Sequence, residues 1–130
     1  MQIRRYTPDD ATALFALMER EGEEWSDYYA KGRARYTDAL GRSITYVACD
    51  SAGIWGYARC RDDDGFGLYV YDLLVDRTCR GQDIGRRLTE QACADYPEGI
   101  VYVMSDVDTY YEKQGYVREG SIFIVKPRPQ

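Results

Sequence analysis

The amino-acid sequence predicts an α/β (α+β) fold in which helices flank a mixed, mostly antiparallel central sheet. Three strand-like runs separated by short turns rich in Asp and Gly, between positions 43 and 75, predict an antiparallel meander. Helix-period patterns precede this meander and alternate with strands after it, which adds a crossover between parallel strands. The predicted order of elements is therefore β-α-α-β-β-β-α-β-α-β.

The N-terminal third predicts an edge strand followed by two helices. Residues 2–6 have the pattern of a short strand, and Thr7 followed by Pro8 is typical of a helix N-terminus. Apolar residues then recur at helical spacing as far as Gly22. A second amphipathic helix is predicted over residues 23–40, with several aromatic side chains along one stripe.

The rest of the chain alternates between strand and helix patterns. The predicted elements are strands at 43–49, 54–61 and 66–75, a helix from Ile84 to about Asp95, a strand at 100–104, a short helix at about 108–114 and a last strand at 116–125. The strand at 66–75 is apolar on both faces apart from Asp72, which is typical of the centre of a sheet. The strand at 100–104 must run parallel to it across a right-handed crossover.

Length and composition indicate one ordinary globular domain over residues 1–130. Hydrophobic residues make up 45% and charged residues 30%, and no apolar run reaches the length of a membrane span. A secretory leader pattern is absent, so we expect a cytoplasmic protein without a membrane partner. The net charge of −5 argues against a nucleic-acid binder, because such proteins neutralise phosphates with basic residues.

The absence of histidine restricts the chemistry. It excludes a Ser-His-Asp or Cys-His nucleophile and any metal site containing histidine. The cysteines show no C-x-x-C spacing, so we expect reduced structural thiols and no metal; they are Cys49, Cys60, Cys79 and Cys93. A mechanism must therefore use carboxylates, tyrosines, backbone groups and water.

An anion-binding loop is predicted between the central strand and the helix that follows it. Residues 80–85, RGQDIG, connect the two, and the first N–H groups of a helix have no carbonyl partner within the helix. A phosphate suits that position. The Gly-Lys-Ser/Thr of a P-loop and the three glycines of the dinucleotide fingerprint are both missing, so neither of those sites is predicted.

This loop resembles the acyl-CoA pyrophosphate loop of the GNAT superfamily of N-acetyltransferases, Q/R-x-x-G-x-G/A. Arg80 and Gly85 match its first and last fixed positions, whereas Asp83 stands where the family has its middle glycine. Residues 72–76, DLLVD, resemble the family's central strand, and residues 110–116, YYEKQGY, resemble its Tyr-Glu-Lys-x-Gly segment. The predicted order of elements is also that of the GNAT fold.

The resemblance implies an enzyme that moves an acetyl group from acetyl-CoA to a primary amine by direct attack, without an acyl-enzyme. The pantetheine arm would use the backbone of Leu73, Leu74 and Val75, where the central strand and its parallel neighbour splay apart. The pyrophosphate would contact Arg80, Gly81, Gln82, Asp83, Ile84, Gly85 and Arg86. No metal is implied.

Two catalytic roles follow from the same resemblance, and a candidate for a third follows from the residues themselves. The N–H of Leu74, or of an immediate neighbour, would polarise the thioester carbonyl. Tyr111 would be the general acid that protonates the leaving thiolate. Asp72 is the first candidate for the base, because a lone acid in an apolar strand is paired, edge-exposed or functional. Glu24 and Asp106 are weaker candidates.

The acceptor side is predicted less sharply. Trp25, Tyr28, Tyr29 and Glu24 could form a wall that binds an amine, because aromatic faces and carboxylates attract cations. The same residues could equally be a core-facing stripe with acids in its first turn.

Two other functions stay open. A protein-lysine or N-terminal acetyltransferase would need an open groove in place of a pocket. A non-catalytic acyl-CoA sensor or interaction module is kept open by Asp83, whose carboxylate would repel phosphate. The partners expected from the resemblance are a small-molecule or peptide amine and a second copy of the chain in a homodimer.

Overall fold

Five strands form the central sheet of the protein, for which a computed structural model describes residues 1–129. They are β1 (Gln2–Arg5), β2 (Ile44–Asp50), β3 (Gly53–Asp62), β4 (Leu68–Val75) and β5 (Val101–Val103), and they lie side by side in that order. Neighbouring strands are antiparallel except for β4 and β5, which are parallel. This sheet confirms the predicted fold class.

Within residues 1–129, four α-helices cover the sheet, and they are α1 (Ala11–Glu21), α2 (Arg33–Arg42), α3 (Ile84–Asp95) and α4 (Asp108–Lys113). Side chains of α1 and α2, such as Phe15 and Leu40, pack with Tyr57 on one face. Those of α3, such as Leu88, pack with Val70 on the other face. Each fully buried side chain of this size stabilises the fold by about 1.5–3 kcal/mol. None of the helices within residues 1–129 has the length and apolarity needed to cross a bilayer.

A β-bulge in β4 shifts the register at the centre of the sheet. Arg59 of β3 pairs with Asp72, whereas the next residue, Cys60, pairs with Val70. Tyr71 is therefore an extra residue in β4, which places it and Asp72 on the same face.

The pairing of β4 with β5 ends early. The paired residues are Leu68 with Val101, Tyr69 with Tyr102 and Val70 with Val103. From residue 71 to residue 75, β4 continues with no strand paired on that side in the described part of the chain. The two strands thus diverge, as the family resemblance implies.

The second predicted helix, over residues 23–40, is interrupted. Short helical segments at Glu23–Trp25 and Asp27–Lys31 precede α2. The N–H of Gly32 donates to the Asp27 carbonyl across a wider, π-helical turn. A Cβ at Gly32 would collide with that same carbonyl, so the irregular turn depends on glycine.

The predicted last strand at 116–125 is wrong for the described structure, because residues 116–129 form no strand. A strand needs a paired edge to satisfy its backbone groups, and none pairs with this segment. Its apolar side chains consequently face solvent: Phe123 is 82%, Ile124 85% and Val125 88% exposed.

Candidate active site

The loop between β4 and α3 has the shape of an anion-binding turn. Gly81 and Asp83 both adopt left-handed backbone conformations, with φ of 83° and 63°. Glycine is favoured there, and aspartate is among the few other residues that adopt this conformation readily. Asp83 thus takes the backbone conformation for which glycine is suited. Its carboxylate turns to Arg86, with 3.2 Å between Oδ2 and Nη2.

The beginning of α3 presents free donors next to this turn. The Arg87 N–H donates to the Asp83 carbonyl, which closes the first turn of the helix. The N–H groups of Ile84, Gly85 and Arg86 precede that bond and have no acceptor within the helix. They lie at the positive end of the helix dipole, so the turn can bind a phosphate with backbone groups alone.

Arg80 lies across the end of β4 and is held from two sides. Its Nε donates to the Val75 carbonyl at 3.1 Å, and its Nη2 donates to Glu21 Oε1 at 2.7 Å. Arg77 also contacts Glu21, donating from Nη2 to the backbone carbonyl at 2.7 Å. The guanidinium of Arg80 is therefore positioned between the loop and the C-terminal end of α1.

Two hydrogen bonds fix the direction of the β4 backbone. Before the bulge, the Val70 carbonyl points to β5, where it accepts from the Met104 N–H at 2.9 Å. Beyond it, the Asp76 N–H points the other way, to the Trp55 carbonyl at 2.8 Å. Successive residues of a strand alternate in direction, so beyond the bulge even-numbered residues face β3 and odd-numbered residues face the gap.

Leu73 and Val75 therefore direct their N–H and C=O groups into the gap. Leu74 directs its own groups to β3, where it is paired with Tyr57. The sequence-based prediction named Leu74 or an immediate neighbour as the donor to the thioester. Of these, the register favours Leu73.

Asp72 is the centre of a buried polar network. Its Oδ2 accepts hydrogen bonds from the Tyr36 hydroxyl at 2.7 Å and from Arg59 Nε at 2.6 Å. The hydroxyls of Tyr36 and Tyr57 lie 2.7 Å apart. Burial, followed by the charge of Asp72, raises the pKa of Tyr36, so its hydroxyl remains protonated and able to donate.

The predicted acceptor wall is only partly assembled. Trp25, Tyr28 and Tyr29 pack at the edge of the cluster formed by α1 and α2. The Tyr28 ring stacks on Tyr36, with 4.4 Å between centroids, so it reaches the Asp72 network. Glu24 is exposed and turns back over its own turn toward Gly22. The core-facing and amine-binding interpretations thus apply to the same aromatic side chains.

Tyr111 lines a cavity of about 940 Å³ bounded by α3, β5, α4 and the segment after α4. The cavity extends to Met104 and Ser105, where β5 leaves β4. Burial raises the pKa of Tyr111 to about 12, which keeps its hydroxyl protonated at neutral pH. Its position suits a proton donor near the gap, and its catalytic role stays a prediction.

Tyr110 lies closer to the phosphate loop than sequence reasoning indicated. A Cβ at Gly85 would collide with the Tyr110 hydroxyl, so the glycine makes room for this contact. Burial raises the pKa of Tyr110. The two adjacent tyrosines of α4 therefore lie at different places: Tyr110 contacts the loop at Gly85, and Tyr111 lines the cavity. The doubled tyrosine in the sequence was the available signal, and it did not indicate which ring faces the loop.

The remaining predicted site residues are not brought together. Asp106 is exposed after β5, and no described contact joins it to Asp72. All four cysteines are free, and burial raises the pKa of Cys60 to about 12. Within residues 1–129, no group of three or more potential metal ligands is found together.

Comparison with known proteins agrees with this geometry. Residues 41–118, more than half of the chain, match the sequence model of the family described as "Acetyltransferase (GNAT) domain". A GNAT family acetyltransferase of Streptococcus pneumoniae TIGR4 superposes with a TM-score of 0.70 at 22% identity, covering 97% of this chain and 98% of that one. No curated protein matches the sequence.

Two further solved structures have the same fold. An aminoglycoside acetyltransferase from an uncultured soil metagenomic sample gives a TM-score of 0.72 at 19% identity and covers 98% of both chains. Glucosamine-6-phosphate N-acetyltransferase from Arabidopsis thaliana gives 0.69 at 17% identity and covers 97% of both. At these identities the likeness establishes the fold alone.

Proposed function

We propose that this chain, which belongs to the GNAT family of acetyltransferases, moves an acetyl group from acetyl-CoA to a primary amine of a small molecule or peptide. One observation carries the proposal. The unpaired stretch of β4 leads directly into a loop whose left-handed residues Gly81 and Asp83 open onto the free N–H groups of α3. An extended thioester with a diphosphate at one end fits such a continuous line of donors.

The proposed cofactor contacts are backbone groups with flanking charge. Leu73 and Val75 would bind the pantetheine arm through the groups that face the gap. The diphosphate would lie on the N–H groups of residues 82–86, and Arg80 and Arg86 supply positive charge. Arg80 must exchange part of its contact with Glu21 to reach a phosphate oxygen.

The proposed reaction is a direct transfer. The amine nitrogen attacks the thioester carbonyl carbon, the C–N bond forms, and the C–S bond breaks with both of its electrons going to sulfur. The Leu73 N–H is aimed at the carbonyl oxygen as negative charge develops there, and removing one such donor costs roughly 3 kcal/mol in known enzymes. Tyr111 gives its proton to the sulfur.

The amine must lose a proton before or during attack. We propose that Asp72, directly or through water, accepts it, because its side chain lies next to Leu73 in the chain and on the face opposite α3. The proposed setting is the cytoplasm, with neither nucleic acid nor membrane as a partner.

The acyl-CoA sensor is the rival from a different class, and the exposed carboxylate of Asp83 beside the phosphate turn is the observation that favours it. Isothermal titration with acetyl-CoA and CoA tests binding, and thiol release over a panel of small amines and peptides tests turnover. Binding with turnover supports the enzyme. Binding without thiol release from any amine supports the sensor, and preference for peptides over small amines supports a protein acetyltransferase.

We also propose that the chain forms a homodimer through its C-terminal tail, defined as residues 121–126. The tail carries four consecutive apolar side chains that are 60–88% exposed, and the outer edge of β5 has no neighbour in the described sheet. Exposed acids border β5, namely Glu98, Asp106 and Asp108, while Lys126 ends the tail and Arg128 follows it. Two copies could exchange tails, each adding a strand to the other's open edge.

A further inference from the structure

Tyrosine rings form a continuous row across the sheet face that carries α1 and α2. We call it the tyrosine row, and its members in spatial order are Tyr28, Tyr36, Arg59, Tyr71, Tyr69 and Tyr102. At one end, Tyr28 stacks on Tyr36 at 4.4 Å. The guanidinium of Arg59 then lies 5.5 Å from the Tyr36 ring and 5.7 Å from the Tyr71 ring. The first half of the row thus joins α2 to β3 and β4.

The second half crosses to the edge strand. Tyr69 lies 6.2 Å from Tyr71 and 5.0 Å from Tyr102, with both pairs stacked. Gly67 makes room for this stack, because a Cβ there would come within 3.0 Å of both Tyr69 and Tyr102. Tyr71 is 43% exposed, so the row is open to solvent beside the gap between β4 and β5.

The bulge aligns the row with Asp72. Because Tyr71 is an extra residue, its ring and the Asp72 carboxylate share one face, and Leu73 follows with its N–H directed into the gap. An acceptor that reaches the thioester from this face must pass Tyr71 and Asp72. The opposite face is occupied by the buried side chains of α3.

One oxygen of Asp72 is left for a ligand. Both geometric hydrogen bonds to the carboxylate fall on Oδ2, and within residues 1–129 a further side chain that interacts with Asp72 is the stacked Tyr28, whose pKa is raised by burial and by that carboxylate. Every fully buried side-chain oxygen or nitrogen in that part of the chain has a partner. Oδ1 therefore touches solvent although the Asp72 side chain is only 9% exposed. It is placed to accept a hydrogen bond from an ammonium group.

The site carries no excess negative charge that would favour a polycation. Arg59 already neutralises Asp72, and the other buried acids on this side are paired in the same way, Asp10 with Arg4 and Asp76 with Arg20. The free acids nearby, Glu23, Glu24 and Asp27, are exposed on the segments before α2, where water weakens their attraction. Most of the wall consists of aromatic rings and phenol hydroxyls.

We infer that the acceptor is a monoamine carried on an uncharged ring, whose ammonium group binds Asp72 Oδ1 and whose ring lies on the tyrosine row at Tyr71. Aromatic side chains contact the faces of aromatic and of sugar rings alike, and the phenol hydroxyls suit a polar substituent. Polyamines and other polycations lack counter-charges here. The inference rests on the proposed function, because it concerns the acceptor of that same reaction.

The test compares four amines in a thiol-release assay at saturating acetyl-CoA: tyramine, glucosamine, ethanolamine and spermidine. We expect kcat/KM for tyramine or glucosamine to exceed that for ethanolamine and spermidine by about tenfold or more, because only the ring amines contact the tyrosine row through a ring face. Whichever ring amine is preferred distinguishes an aromatic from a sugar acceptor. Preference for spermidine or ethanolamine overturns the inference and leaves the enzyme proposal standing.

One substitution tests the contribution of the tyrosine row to the turnover of ring amines. Tyr71→Leu should lower kcat/KM for the ring amine about tenfold while ethanolamine changes little. Tyr96→Leu, a tyrosine packed on the α3 face, is the matched control and should change neither. Thermal melting and acetyl-CoA affinity are measured for both variants to show that each is folded. Equal losses for all amines in Tyr71→Leu would contradict a role for the row.

Titration of the ring amines into CoA-saturated protein measures their binding to the tyrosine row without turnover. Ring amines that bind the wild type and lose affinity in Tyr71→Leu support the inference, whether or not thiol is released. Such binding without thiol release would reject the enzyme proposal and leave the inference about the tyrosine row standing. Absence of binding by both ring amines overturns the inference.

Discussion

The side chain of Glu21, at the last residue of α1, accepts a 2.7 Å hydrogen bond from Arg80 in the phosphate loop. The Glu21 side chain is 11% exposed, and Arg77 approaches it as well, at 3.5 Å. This contact ties the end of α1 to the loop between β4 and α3. Under the proposed function, acetyl-CoA and Glu21 would compete for the same guanidinium.

Removing that competition should strengthen cofactor binding. In Glu21→Gln the neutral amide no longer offsets the charge of Arg80. We therefore expect the acetyl-CoA Kd to fall by a few fold, equivalent to about 1 kcal/mol or less. Isothermal titration measures this change. Glu19→Gln is the matched control, because Glu19 is on the same helix and pairs with Arg33 away from the loop. A higher Kd in Glu21→Gln would contradict this prediction and would indicate that Glu21 positions Arg80 for the phosphate.

Asp83 combines a favourable backbone conformation with an unfavourable charge, and two substitutions separate them. Asp83→Asn keeps a residue that tolerates the left-handed conformation and removes the charge, so acetyl-CoA should bind more tightly. Asp83→Ala also removes the charge but should lower the free energy of unfolding by about 1 kcal/mol, because its Cβ disfavours that conformation. Chemical denaturation and titration check both. Equal stability of the two variants would argue against strain at this position.

The two tyrosines of α4 should respond differently to loss of the hydroxyl. Tyr111→Phe should lower kcat about a hundredfold, which is the lower end of what general acid catalysis contributes, with acetyl-CoA affinity little changed. Tyr110→Phe should mainly alter acetyl-CoA affinity, because its hydroxyl lies against Gly85. Steady-state kinetics and titration distinguish the two. Unchanged turnover in Tyr111→Phe would reject the acid assignment.

The pH profile offers a second check on Tyr111. Burial raises its pKa to about 12, and an acid works only while protonated. Raising the pKa moves loss of the proton to higher pH, so kcat should not decline between pH 7 and pH 10 through this group. A decline with a midpoint inside that range, absent from Tyr111→Phe, would contradict the assigned environment.

The exposed tail predicts a concentration-dependent dimer. Phe123 and Ile124 are 82% and 85% exposed, and covering them in both copies provides the apolar centre of an interface. Light scattering at micromolar concentration should give the dimer mass for the wild type and the monomer mass for Phe123→Asp. Phe66→Asp, on a turn and 83% exposed, is the control and should stay dimeric. A monomeric wild type contradicts the proposed exchange.

Much of the fold could be predicted from the sequence, because its elements have strong periodicity. The helix beginning at Ile84 and the strands of the meander depend on local patterns of apolar residues and turns. The prediction of the last strand was wrong for a different reason. Residues 116–125 have a strand-forming composition, but composition does not decide pairing, and within the described residues this segment pairs with neither outer edge of the sheet.

The sequence indicated the candidate loop and strand but could not fix the register of the strand. The loop and the central strand were found from motif and spacing, whereas a single extra residue at Tyr71 reverses which backbone groups face the gap. Alternation alone could not reveal that shift, so the prediction named Leu74 or an immediate neighbour without deciding between them, and the register favours Leu73. Arg59 and Tyr36 were missed because their partner, Asp72, comes from a distant stretch of the chain.

Amide chemical shifts of ¹⁵N-labelled protein, recorded as acetyl-CoA is added, test the central claim most directly. The account predicts saturable shifts at Leu73, at Val75 and at the amides of residues 82–86, with a smaller change at Leu74. Binding that leaves those amides unmoved, or no binding at millimolar acetyl-CoA, which corresponds to a free energy weaker than about −4 kcal/mol, would contradict it.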